Sequence, residues 1–76
     1  MTAEEAIDEI IGEYGRAAAQ HGTFPTMHHG YAAILEELDE LWDEVKKKAA
    51  LRSRDELVKE ARQVAAMSLR FMVDLL

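Results

Sequence analysis

The stretch from Ile34 to Val45, "ILEELDELWDEV", decides the fold. Its apolar residues Ile34, Leu35, Leu38, Leu41, Trp42 and Val45, preceded by Tyr31, recur at a period near 3.6 and so line one face of a helix. A half-buried strand would alternate with period two, and this segment does not. Between Glu36 and Glu44 six carboxylates fill nine positions. Like charges one turn apart repel by roughly a few tenths of a kcal/mol per pair. A helix that carries so many either turns them to solvent or gathers them around a cation.

Working outward, Thr26 has the hydroxyl of an N-cap, so this helix begins near Met27 and is expected to run to about Ala49. Upstream, "HGTFPTMHHGY" is interrupted by Gly22 and Pro25. A first helix spans roughly Ala3 to Gln20, with Ile7, Ile10, Ile11, Tyr14 and Ala18 at helical spacing and Gly12 and Gly15 weakening it. It serves as a lid or a brace. Downstream, "SRDE" at Ser53 to Glu56 matches the S-x-x-E capping box and starts a third helix towards Leu76. Its apolar positions form two adjoining stripes, one through Leu57, Ala61, Val64, Ser68, Phe71 and Leu75, the other through Val58, Ala65, Leu69, Met72 and Leu76. That arc is too wide for a single antiparallel neighbour, so packing against another chain is expected. The fold class is all-α: a short helical bundle over residues 1–76, two long helices plus an N-terminal one, completed by homo-oligomerisation as a dimer or dimer of dimers.

Composition narrows the function. A chain of 76 residues without cysteine has no disulfide, thiolate metal site or cysteine nucleophile, and lies near the lower limit for a self-sufficient core. A net charge of −6 opposes nucleic acid or an anionic membrane as partner. The acidic "MTAEE" start does not resemble a signal peptide, and the uncharged run from Ala17 to Leu35 holds three histidines, Pro25 and glycines. A cytoplasmic protein is expected.

At 100° per residue, Glu37, Glu40 and Glu44 fall within about 60° of one another, a ridge able to direct oxygens at a hard cation such as Mg²⁺ or Mn²⁺. Glu36 and Asp43 lie further round, and Asp39 on the opposite flank. On the third helix Glu60 sits at the apolar border with Gln63 as its i+3 neighbour. A carboxylate there costs desolvation unless a metal, Arg or Lys partners it. His28 and His29 lie outside any H-E-x-x-H or E-x-x-H setting, which removes zinc-protease and di-iron chemistry. Trp42 is expected in the core. Lys46, Lys47 and Lys48 are expected to balance the acidic run at the helix C-terminus.

Taken together, "EELDE" at Glu36 to Glu40 and "EARQ" at Glu60 to Gln63 resemble the motifs of the MazG-like, all-α nucleoside triphosphate pyrophosphohydrolases. That family has E-E-x-x-E on one helix and E-x-x-D on the next. Nineteen residues separate Glu40 from Glu60 here, within the family's spacing, and the resemblance covers roughly Gly22 to Leu76. It implies that Glu37, Glu40 and Glu60 hold Mg²⁺, with Mn²⁺ as a substitute, while Glu36 orients or deprotonates the attacking water. It implies cleavage of (d)NTP between the α and β phosphates to (d)NMP and pyrophosphate, a house-cleaning activity. His28, Tyr31 and Lys47 are candidates for substrate contact. Gln63 departs from the family Asp and offers only a neutral carbonyl to a metal, with Glu44 as a replacement anion. The alternative is a catalytically inactive module of this fold that binds nucleotide or a partner protein. A plain coiled-coil-like dimerisation element would need only the apolar stripes.

Overall fold

Each helix begins where a short polar side chain can accept its first free amides. The computed structural model describes residues 1–76, with α1 at Ala3–His21, α2 at Met27–Val45, a 3₁₀ turn at Ala49–Leu51 and α3 at Arg54–Leu75, and no strand. Thr2 caps α1 in a reciprocal capping box with Glu5. Thr26 Oγ1 accepts from His29 N at 3.1 Å, and Ser53 Oγ accepts from Glu56 N at 3.2 Å. Gly22 ends α1 with a φ of 71°, a conformation that glycine adopts without strain.

α2 stops at Val45, four residues before the expected end. Arg52 Nε donates to the Val45 carbonyl at 3.0 Å, and Lys47 turns back onto Glu44, so the freed carbonyls and carboxylates of the last turn find cations. Two of the three lysines balance the acidic run, through Lys46–Asp43 and Lys47–Glu44 pairs at 2.9 Å.

α3 is the central element. α2 packs antiparallel on it, bringing Gly30 against Phe71 and Leu75, while α1 runs parallel on its other side, with Ala17 against Met67. α1 and α2 do not pack on each other. The wide apolar arc of α3 is shared between two neighbours from the same chain, but they do not cover all of it: Met72 and Leu76 of the second stripe stay exposed. Arg62 on α3 reaches Glu13 at 3.3 Å and Glu9 at 3.7 Å, so α1 is braced along α3.

The loop between α1 and α2 is fastened to the C-terminal half of α3. Phe24 N donates to Asp74 Oδ2 at 3.0 Å, Arg70 Nη2 donates to the Gly22 carbonyl at 2.9 Å, and the Arg70 guanidinium lies 4.0 Å from the Phe24 ring centroid. The core is small: Ala17, Phe24, Ala66 and Met67, with Tyr14, Ala33, Ile34, Phe71 and Leu75 packed around it. No helix is long and apolar enough to cross a membrane.

Candidate metal centre

The face that α2 turns to α3 is not the middle of its apolar stripe. Gly30, Ala33, Ile34, Glu37, Leu41 and Glu44 are its buried or half-buried positions. The reason is close approach: a methyl at Gly30 would lie 2.6 Å from Phe71 Cδ2, so only a hydrogen there lets the helices meet as they do. This rotation carries Glu37 into the α2–α3 seam. It also leaves Trp42 59% exposed and Tyr31 64% exposed, so the expectation that Trp42 packs in the core does not hold within one chain.

Across the seam, α3 presents Glu60, only 7% exposed, and Gln63 one turn on. Glu37, Glu40 and Glu60 each offer a carboxylate oxygen, all within 4.8 Å of one another. With its amide nitrogen turned to the carboxylates, the orientation that satisfies both ends, Gln63 donates to Glu37 Oε2 at 2.8 Å and to Glu60 Oε2 at 3.2 Å. Lys59 Nζ lies 3.9 Å from Glu60 Oε1. Gln63 brings no charge, and Lys59 offsets only part of that of the three carboxylates. Lost hydration first, then the Glu40 charge and a shared hydrogen bond with Glu40, then Glu60 and Glu36, push the Glu37 carboxyl up to about 7. Glu60 is raised as well, chiefly by burial and next by Glu40, with Lys59 opposing.

Two hollows flank Glu37. One of about 400 Å³ lies under the α1–α2 loop, lined by His21, Thr23, His29, Glu36, Glu37 and Arg70. The other, of about 220 Å³, lies beside the end of α1 and is lined by Glu13, Arg16, Gln20, His21, Glu37 and Gln63. The larger hollow has the volume of a small-ligand site. Glu36 is exposed on the rim, apart from the three clustered carboxylates but in the same hollow as Glu37.

The remaining candidates fall elsewhere. Glu44 lies outside the cluster, and Lys47 Nζ donates to both its oxygens at 3.0 and 2.9 Å. That hydrogen bond raises the Lys47 ammonium above its usual range and occupies it. His28 and Tyr31 line an apolar hollow with Met27, Ile34 and Phe71, not the hollows beside Glu37. His29 is the histidine on the acidic side, its Nδ1 2.7 Å from Thr26 Oγ1. Helical spacing held that information: His29 is seven residues from Glu36 and about 20° away, whereas His28 is about 80° away. His21, Arg16 and Arg70 carried no such signal, because a loop and two helices bring them in. Protein-family models, curated proteins and solved structures gave no match to this chain.

Proposed function

We propose that the chain is a Mg²⁺-dependent nucleoside triphosphate pyrophosphohydrolase that cleaves (d)NTP between the α and β phosphates, releasing (d)NMP and pyrophosphate in nucleotide house-cleaning. The observation that carries this reading is the convergence of Glu37, Glu40 and Glu60 from two helices to within 4.8 Å. The donor set fits the ion: it is all oxygen and rich in carboxylates, and burial together with the neighbouring carboxylates, which push Glu37 up to about 7, leaves the group in need of positive charge. Mn²⁺ shares these preferences. The chemistry such an ion supplies is neutralisation of the triphosphate and of charge developing during phosphoryl transfer.

The chain's own residues then divide the work. Glu37, Glu40 and Glu60 hold the cation, and Gln63 keeps Glu37 and Glu60 oriented. Glu36, on the rim of the larger hollow, accepts a proton from the water that attacks the α phosphorus as pyrophosphate leaves. His21, His29 and Arg16 provide the cationic and hydrogen-bonding side of the cleft. The test is product analysis with Mg²⁺ or Mn²⁺ across ribo- and deoxyribonucleoside triphosphates. Monophosphate plus pyrophosphate is expected, with Glu40→Ala and Glu60→Ala each reducing turnover at least ~100-fold. Full turnover in either variant would remove the site assignment.

Gln63 favours a second reading. Its amide donates to two of the three carboxylates and so competes with a cation, as expected of a non-catalytic module that binds nucleotide or protein. A folded, Mn²⁺-binding sample that yields no product across the panel would select it.

A further inference from the structure

A run of exposed large apolar side chains follows the outer face of α2. Tyr31, Leu35, Leu38 and Trp42 are 64, 42, 48 and 59% exposed and follow one another at spacings of four, three and four residues. This is the seam spacing of helices that pack lengthwise on another helix. The order of side chains reads alike from either end: aromatic, leucine, leucine, aromatic. A two-fold axis perpendicular to α2, at the level of the Glu36–Glu37 peptide, therefore sets each leucine against a leucine and each aromatic against an aromatic. An isologous contact requires such self-complementarity, and an unrelated partner would not.

The size of the unburied surface agrees. The chain exposes 5346 Å², against about 4,700 Å² for a folded monomer of its mass, and the excess of roughly 600 Å² approaches the ~800 Å² that each partner gives to a standard interface. Its radius of gyration is 13.1 Å, where a compact chain of this length would have about 11 Å. No large side chain is fully buried. Thirteen large hydrophobic residues are exposed, and the α2 face holds the longest run of them.

We infer that the occupant of this face is a second copy of the chain, docked α2 against α2 in antiparallel register, with Tyr31 opposite the partner subunit's Trp42 and Leu35 opposite the partner subunit's Leu38. The carboxylate cluster stays outside the interface, since Glu37 and Glu40 lie about 100° and 160° round α2 from Leu38. Each subunit keeps its own cluster, and the contact is independent of any metal or nucleotide chemistry.

The test begins with sedimentation of the unaltered chain, which is expected at twice the 8.6 kDa chain mass. Leu38→Asp is expected to give a monomer that keeps its helical circular dichroism. Register follows from two single-cysteine variants, Tyr31→Cys and Trp42→Cys, made in a chain with no other cysteine. Mixed and treated with a short bis-maleimide, they are expected to cross-link to each other. Neither should cross-link to itself, because like positions stand about 16 Å apart along the axis. A monomeric unaltered chain, self-linking of either variant, or a dimer whose mixed variants fail to link would each overturn the inference.

Discussion

Gln63 holds the position at which chemistry and stability compete. Its amide ties Glu37 to Glu60 across the α2–α3 seam, and removing it in Gln63→Ala leaves both carboxylates short of a donor, a loss of about 1–2 kcal/mol. The pH behaviour follows from Glu37. Its carboxyl titrates at about 7 in the folded chain and at 4.5 when unfolded, so between these values the folded state binds more protons. The stability from this group is complete below pH 4.5 and is lost as pH rises through 7. The metal-free chain should therefore melt at a higher temperature at pH 5 than at pH 8, and Glu37→Gln should flatten that slope. Calorimetry of both proteins checks this. An equal slope in the variant would place the titration elsewhere.

The rotation of α2 about its own axis is set at Gly30. In Gly30→Ala the methyl meets the Phe71 ring and Leu75, an overpacking cost of about 1–3 kcal/mol against a helix-propensity gain of about 1 kcal/mol. A net loss of about 1 kcal/mol is expected from chemical denaturation. Gly15→Ala is the matched control. Its methyl meets nothing within 4 Å, so it should gain about 0.5–1 kcal/mol. Equal effects at the two sites would show that the α2–α3 approach is loose. The helix starts were legible because caps are local: Thr26 and Ser53 lie next to the turns they begin. The end of α2 was not, because Arg52, seven residues on, caps the Val45 carbonyl.

Three helices of this size close little core, and the architecture is an open layer with α3 between its neighbours, 40 × 26 × 19 Å in extent. Trp42 reports on what covers the outer face, being the sole tryptophan and 59% exposed in one chain. Its emission should shift to the red on dilution as the subunits separate, and the melting temperature should fall in step, because self-association stabilises by mass action. Emission independent of concentration over the range in which mass changes would show that the association uses another face, such as the exposed Ile7 and Ile11 of α1.

The amino-acid order by itself determined what depends on near neighbours. Periodicity made the segments helices, Gly22 and Pro25 broke the chain between the first two, and the spacing of Glu37 and Glu40 put both carboxylates on one side of α2. Periodicity ranks the faces of a helix by polarity, however, and says nothing about which face meets which neighbour. The most apolar face of α2 was the natural choice for the core, and tertiary structure chose otherwise. The small residues Gly30 and Ala33 let Phe71 and Met67 approach closely, and tight packing along that edge outweighed bringing Trp42 and Tyr31 inside. That choice placed Glu37 opposite Glu60, brought His21 and Arg70 into the hollow that Glu36 and His29 share, and left the apolar stripe outside.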